Sequence, residues 1–587
     1  MRKFAKACER IAGTTKKLEK IAIVAQYLKS RPLQEASVAA VFLSGRPFPM
    51  WEETTLQVGG RLLWQMIEEL AGKSGAELTA AYRQHGDLGA VAAQVLPRSR
   101  RTAAEGNHDP AAGADGLSLP AVQAEFRKIA VARGPTAKAI FVRELLSQLS
   151  ALEAKYIVKI ITGDLRIGLK ESLVEEAIAK AYDGQLQEVQ RANMLLGDIG
   201  ETLRLAADSR QGAATLSQVK MRLFHPLGFM LASPAQSADE ALSYFEKALI
   251  EDKYDGIRAQ AHCSAGEVRI FSRTRDDITE SFPELPEALS GFCQDVILDG
   301  EIVAWSYLTG EAGRALPFSA LQQRLGRKKV SEEMLRRVPV AYLVFDVLYA
   351  GGELLIDRPL CERAKLLDQL LAAPRAPLRA RSHAAQGRLA LESGEAAVGA
   401  AIPTQVFRAP VFRASSPQEL DQLFEAAQAR GNEGLMIKDR ASAYSPGRRG
   451  KSWLKLKREL ATLDVVVTAV EYGHGKRIGV LSDYTFAVRD GDRLLNIGKA
   501  YSGLTDIEIA EMTQWFLKHT IEDQGLRLVV EPKVVLEVAF NNMMRSDRHS
   551  SGYALRFPRI VRLRPDKLPE QADTIETVKR IYEKQSG

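Results

Sequence analysis

The spacing of apolar residues changes twice along this chain, and each change marks a stretch that a different architecture has to bury. From residue 1 to about 220 apolar residues return every three to four positions, as in Ile21-Ala-Ile-Val-Ala-Gln-Tyr-Leu28 and over 140–149, which is the period of amphipathic helices. From 221 to 457 short apolar runs alternate with turn signals and helical stretches, the pattern of a mixed domain. Beyond 458 a period of two takes over in Leu463–Val470, Tyr484–Val488 and Val534–Val538, broken by one helix at 506–516, and a small β-barrel is expected. The 587 residues exceed what one core covers. The expected organisation is therefore multidomain: all-α over 1–220, α+β over 221–457 and a C-terminal barrel over 458–587. Two weakly patterned stretches, 97–120 and 372–402, read as a surface loop and an insertion.

Lys+Arg total 80 against Asp+Glu 73, a net charge of +7, which points to a polyanionic partner only if the cations cluster. They do. Tyr444 to Arg458 carries six cations and no acid, and Arg545 to Lys567 carries seven against two acids. In the first cluster, extended geometry puts Trp453, Lys455 and Lys457 on one face and Leu454 and Leu456 on the other, with the two ammonium groups roughly 7 Å apart, spaced to clamp a phosphate. In the second, Arg562 and Arg564 share a face. A third basic feature is the turn Gly163-Asp-Leu-Arg-Ile-Gly-Leu-Lys170, followed by an expected capping box at Ser172–Glu175 and a buried stripe of Val174, Ala177, Ile178 and Ala181. Arg166 and Lys170, with the backbone N–H groups of this glycine-bracketed turn, suit a phosphate, although a plain helix-turn-helix with solvated charges fits the same residues. Cys8, Cys263, Cys293 and Cys361 lie too far apart for a zinc knuckle or a disulfide framework, which fits a reducing cytoplasm. No apolar run of about eighteen residues occurs, so no membrane span is expected.

Glu251-Asp-Lys-Tyr-Asp-Gly-Ile-Arg258 sets a lone amine, Lys253, at a turn between the runs Ala248–Ile250 and Ile257–Ala261. Such an amine is a nucleophile once its proton is removed; at a reference pKa of ~10.4 that costs about 4 kcal/mol at neutral pH unless burial or nearby cations help. A surface lysine beside a hairpin turn fits these eight residues as well. Downstream, Arg269–Arg275 reads as extended, with Arg273 and Arg275 on one face. Asp299 and Glu301 share a face of an apolar strand and suit Mg²⁺ or a ribose hydroxyl, or are exposed hairpin acids. Phe345, in the apolar strand 342–349, suits a stacked base or the core. Glu433 is a third carboxylate for metal.

In this order the segments closely resemble the motif set of the ATP-dependent DNA ligases, within the covalent nucleotidyltransferases: Lys253-Tyr-Asp-Gly-Ile-Arg258, Ser272-Arg273, Asp299-Gly-Glu301, Phe345-Asp-Val-Leu-Tyr349, Glu433-Gly-Leu-Met-Ile-Lys438, Trp453-Leu-Lys-Leu-Lys457, and Leu555-Arg-Phe-Pro-Arg559 with Arg564-Pro-Asp-Lys567. The helical part with Leu165-Arg-Ile-Gly168 resembles the DNA-binding domain of archaeal and related bacterial members, and the barrel resembles their OB-fold. The resemblance implies Lys253 as the residue that accepts AMP from ATP and passes it to a nick's 5′-phosphate. It implies Glu251 at the adenine N6 amine, Phe345 on its ring, Arg258 and Glu301 on the ribose side, and Arg449, Lys455 and Lys457 at the phosphates. It further implies Arg564 and Lys567 at the triphosphate tail and Glu301 and Glu433 for Mg²⁺ or Mn²⁺. Arg273, and Arg166, Gly168 and Lys170 in the helical part, are implied contacts to nicked duplex DNA. The implied enzyme is a cytoplasmic, nucleoid-associated monomer; whether a sliding clamp or repair proteins recruit it is not written in the sequence. His225-Pro-Leu-Gly-Phe-Met-Leu-Ala232 departs from the family's usual Arg-Pro-Met-Leu-Ala, and 372–402 is a further departure.

An RNA ligase or a capping-type guanylyltransferase shares Lys-x-Asp-Gly, but the helical domain and terminal barrel argue for duplex DNA. An NAD-dependent ligase needs a four-cysteine zinc module that these cysteines cannot make. A duplex-binding protein without catalysis has no use for the lysine, three carboxylates and paired lysines together.

Overall fold

The structure, a computed structural model, describes the chain except residues 53, 97–115, 210–215, 246, 307–312, 317, 325–329, 374–404, 458–460, 475–476 and 587. Most of the expected loop at 97–120 and of the insertion at 372–402 lies outside the described residues. Contacts divide the chain into two units: Met1–Gln190, Asp198–Ser217 and Glu459–Gly587 in one, and Arg191–Gly197 with Gln218–Arg458 in the other. Among the described residues no helix is long and apolar enough to cross a membrane.

In the first unit, helices from Arg2–Ala12 to Ile199–Ser209 realise the three-to-four-residue period, with capping boxes at Ser74–Glu77 and Ser150–Glu153 fixing two of their starts. The capping box expected at Ser172–Glu175 is not formed. The helix begins two residues earlier than that box requires, at Glu171, with Lys170 in the N-cap position and no side-chain cap bond. Its buried stripe is the expected one, Val174, Ala177, Ile178 and Ala181. The boundary expected at 220 also shifts. Arg191–Gly197 belongs with the second unit, because Arg191 pairs with Asp357 at 2.8 Å and Leu195 is buried with Leu227, Met230 and Trp453.

The C-terminal part of this unit is a seven-stranded sheet in which the long strand Ala461–Tyr472 pairs with Leu481–Asp490, Arg527–Val530 and Val535–Phe540, curling the sheet around one core. Helix Asp506–Lys518 is where its pattern puts it. A second helix, Ile575–Ser586, was not expected, since the run 576–585 is mostly polar and only Ile575, Val578, Ile581 and Tyr582 pack on the core.

The second unit holds two sheets. One has the order Leu231–Ala235, Arg449–Leu456, Leu435–Asp439, Ala248–Asp252, Val411–Phe412, with its first pair parallel and the others antiparallel. The other is built on Glu267–Ser272, Ile257–Ser264, Val296–Ser306 and Val340–Ala350, all antiparallel. The runs either side of Lys253 therefore lie in different sheets: Asp255–Gly256 is a crossing between them, not a hairpin turn. Gly256 is required there by close approach, since a Cβ would lie 2.3 Å from the Ile302 carbonyl oxygen. The extended reading of Arg269–Arg275 holds as far as Ser272 and ends there for a local reason. The strand ends at Ser272, whose carbonyl accepts from the Arg275 N–H (2.8 Å) and whose N–H donates to the Asp276 carbonyl (2.8 Å), so Arg273 and Arg275 do not share a strand face.

Candidate active site

Pairing register assembles the site before any side chain is considered. Lys253, Gly434 and Lys457 continue the row set by Asp252, Leu435 and Leu456; Glu251, Met436 and Lys455 form the second row; Leu249, Lys438 and Trp453 form the third. Strand alternation then sorts the faces. Ile250, Leu435, Ile437, Leu454 and Leu456 turn into one core, and the face with Glu251, Lys438, Lys455 and Lys457 is left for chemistry. The sequence places Lys455 and Lys457 on that face and the two leucines behind it, and the fold does the same.

Lys253 sits one residue beyond its strand, tied by its N–H to the Gly434 carbonyl (2.8 Å) and by its carbonyl to the Glu433 N–H (2.8 Å). Gly434 has φ +142°, and a Cβ would lie 2.3 Å from the Leu456 carbonyl oxygen, so only glycine brings the strands this close. The Lys253 Nζ lies 2.6 Å from Glu433 Oε2, and the same oxygen holds Lys457. Burial works to raise the Glu433 carboxyl, but the charges of Lys253 and Lys457 prevail and hold it down, to about 2. Burial lowers both Lys455 and Lys457, and the neighbouring Lys253 lowers them further; Arg449 and Arg273 add to the shift at Lys455, which puts both arginines in reach of its charge.

Glu301, on the facing sheet, is pushed up to about 7, chiefly by burial, with Lys253 and Arg258 opposing the shift and Glu433 adding to it. A raised carboxyl binds its proton more tightly folded than unfolded, so the stability it gives is present below about pH 4.5 and is lost as pH rises through about 7. Replacing Glu301 by Gln should therefore leave stability near pH 4.5 unchanged and raise it at pH 8 by an amount on the order of 2 kcal/mol, given the partial exposure of the side chain. Urea unfolding midpoints of the two proteins at both pH values check this; a difference that does not grow with pH refutes it.

Asp299 is not free for metal. It is fully buried and takes Arg258 in a two-pronged pair (3.1 and 2.7 Å) together with the Tyr444 hydroxyl (2.7 Å). Arg258 also donates to the Met230 carbonyl (2.6 Å), with the Phe229, Phe345 and Trp453 rings each 5.3 Å from its guanidinium carbon. Phe345 is half-buried, with the Lys438 Nζ 4.2 Å from its centre. Lys438 is nearly fully buried and pairs with Glu251, whose other oxygen has Arg408 at 3.6 Å. Glu251 is thus already bound by two cations. Sequence reasoning passed over Lys438, Arg408, Tyr444 and Met230; strand alternation does put Lys438 on the face of Trp453, but Met230 and Tyr444 meet the site only through the fold.

The remaining expected residues lie elsewhere. Arg564 and Lys567 are in the other unit, both held by Asp464 (2.9 and 2.5 Å), and Arg564 also by Asp566 (2.8 Å). Arg166, with φ +51°, donates to the Gly86 carbonyl (2.5 Å) and pairs with Asp164 (3.4 Å), so its guanidinium is engaged within the helical part. Gly168 has φ +62° and Lys170 is exposed. Among the described residues no three carboxylate, histidine or cysteine side chains converge on a metal position. Two carboxylates, Glu301 and Glu433, beside three amines fit a hard cation that takes its remaining oxygens from water and phosphate, as Mg²⁺ does.

Three family descriptions match successive parts of the chain: "DNA ligase N terminus" over 1–179, "ATP dependent DNA ligase domain" over 229–457 and "ATP dependent DNA ligase C terminal region" over 477–567. A "Probable DNA ligase" of Koribacter versatilis is 59% identical over 100% of this chain and 97% of its own. A "DNA ligase" of Methanothrix thermoacetophila is 36% identical over 100% of this chain and 98% of its own. The solved structure titled "Pmar-Lig_PreS3" shares the fold over 96% of this chain and 99% of its own, with a TM-score of 0.57 at 16% identity.

Proposed function

The chain belongs to the ATP-dependent DNA ligases, and on that footing we propose which of its residues carry the reaction. The observation that carries the reading is the convergence of Lys253 and Lys457 on Glu433 with Lys455 in the adjacent row. The Lys253 Nζ, its proton lost to solvent, attacks the α-phosphorus of ATP; the N–P bond forms as the bond to the β-phosphate oxygen breaks, and pyrophosphate leaves. Lys455 and Lys457 offset the charge that grows on the α-phosphate in that transition state. Phe345 stacks on the adenine, whose N6 amine donates to Glu251, and Arg258 and Glu301 serve the ribose side. Arg449 adds charge at the phosphates.

A 5′-phosphate oxygen of the nick, met by Arg273, then attacks the AMP phosphorus, and the N–P bond breaks to return the lysine. Finally the 3′-hydroxyl attacks the activated 5′-phosphorus; the new phosphodiester forms, AMP departs and the hydroxyl proton is lost to solvent. Glu301 and Glu433 would hold Mg²⁺, which supplies charge neutralisation at the phosphates when bound. In the helical part, Lys170 and the Gly168 turn meet the duplex backbone, with Arg166 joining once it leaves Asp164; the enzyme works as a monomer on nicked duplex. A chase tests this reading. Label from α-labelled ATP should appear on the protein, move to the 5′ end when nicked duplex is added, and leave as AMP in step with sealing; label that stays on the protein overturns it.

A further inference from the structure

The segment ahead of the lysine that departs from the family pattern is laid along the strand Ile257–Ser264. Alternation turns Arg258, Gln260 and His262 to one face of that strand, and Ala259, Ala261 and Cys263 into the core behind it. Three backbone N–H groups, spaced every third residue, donate into that side of the site. Phe224 donates to His262 Nδ1 (3.0 Å), Leu227 to Gln260 Oε1 (2.8 Å) and Met230 to the Tyr444 hydroxyl (3.0 Å). Because Nδ1 accepts, the imidazole proton is on Nε2 and is donated to Gln260 Oε1 (2.9 Å). Burial pushes His262 down, to about 3, so the ring stays neutral. Gln260, His262 and Asp299 are fully buried and Tyr444 nearly so.

A connector between domains has no use for such a network, because burying polar groups costs free energy, here including a Gln260 Nε2 with no hydrogen-bond partner among the described residues. What the network does is hold Arg258. The Tyr444 hydroxyl accepts from Met230 and donates to Asp299, while the Met230 carbonyl and Asp299 both receive Arg258. Phe229 lies against the same guanidinium. We propose that Phe224–Met230 is a strap that completes the frame of the nucleotide pocket, and that Tyr444 is the positioning residue that locks it to the Asp299–Arg258 pair. The proposal rests on Arg258 serving the ribose side of ATP.

The test measures initial self-adenylylation rates against ATP concentration in the full chain for Arg258→Lys, Tyr444→Phe and the double variant. Tyr444→Phe should raise the KM for ATP roughly tenfold, the size expected of one buried hydrogen bond to a charged group, with the rate at saturating ATP within about threefold. Arg258→Lys should raise KM at least as much, and the double variant no further, because the hydroxyl acts through Arg258. Gln260→Met, which unfastens the strap at Leu227 and removes none of the hydrogen bonds that Asp299 makes to Arg258 and Tyr444, gives a second measurement should Tyr444→Phe not fold, and should raise KM about threefold. An unchanged KM in Arg258→Lys overturns the ribose reading. A raised KM in Arg258→Lys with an unchanged one in both Tyr444→Phe and Gln260→Met overturns the strap, as does a loss confined to the saturating rate or an effect that multiplies in the double variant.

Discussion

Lys253→Arg should carry no covalent AMP after incubation with labelled ATP and denaturation, at any pH at which the protein is folded. The side chain it introduces keeps the charge that pairs with Glu433, 2.6 Å from the native amine, so the site should assemble as before. What is lost is the lone pair, because a guanidinium does not deprotonate in a protein. The expected fall is therefore in the first chemical step and not in ATP binding, and nick sealing with ATP falls with it. Sealing of a nick that already bears 5′-AMP uses the 3′-hydroxyl as nucleophile and should persist. Undiminished labelling of the variant would remove Lys253 from its role; a loss of ATP binding equal to the loss of labelling would make the lysine a binding residue instead.

The parts of this site that the sequence makes legible are those written in one strand at a time. The alternation Trp453-Leu-Lys-Leu-Lys457 is a local property, and it holds because Leu454 and Leu456 have a core to enter. The helical period of the first two hundred residues is legible for the same reason. Partnerships between distant residues are not. Asp299 reads as a free carboxylate until Arg258 and Tyr444, the latter 145 positions away, are seen to take it. Lys438 reads as one more cation until burial sets its amine between two aromatic rings and Glu251. The turn at Asp255–Gly256 gives the same local signal whether the chain doubles back or crosses to another sheet; only the pairing of its flanking strands with different neighbours decides. At Arg273 alternation misleads, because the hydrogen bonds of Ser272 close a turn that no apolar pattern announces.

The barrel's terminal cations should matter for making the lysine adduct and little for the two later transfers. In the resembling family this terminal motif closes over ATP to orient the leaving pyrophosphate, a need that exists only while pyrophosphate departs. In this chain Asp464 holds both Arg564 and Lys567, and Asp566 and Glu537 (3.8 Å) lie on Arg564 as well. The Arg564–Asp464 pair is partly buried, with side chains 14% and 12% exposed, whereas Lys567 (31%) and Asp566 (62%) stand in more water, where screening weakens the attraction, so a triphosphate with several negative charges displaces Lys567 the more readily. Among the described residues Arg564 nevertheless has three acidic partners and Lys567 has one, which makes Lys567→Ala the cleaner probe and Arg564→Ala the one that also loosens the strand Arg559–Leu563 against Val535–Phe540. Self-adenylylation with ATP should fall by about a hundredfold in Lys567→Ala, the size of losing one positioned cation at a departing phosphate, while sealing of a nick already carrying 5′-AMP stays within about threefold. Asp464→Asn, which removes the carboxylate that both cations share and leaves Arg564 on Asp566 and Glu537, should leave adenylylation intact or lower the KM for ATP. Equal losses in the two reactions for Lys567→Ala would mean that the cluster holds DNA throughout the cycle, and the barrel would then be a clamp on the duplex and not a lid on ATP.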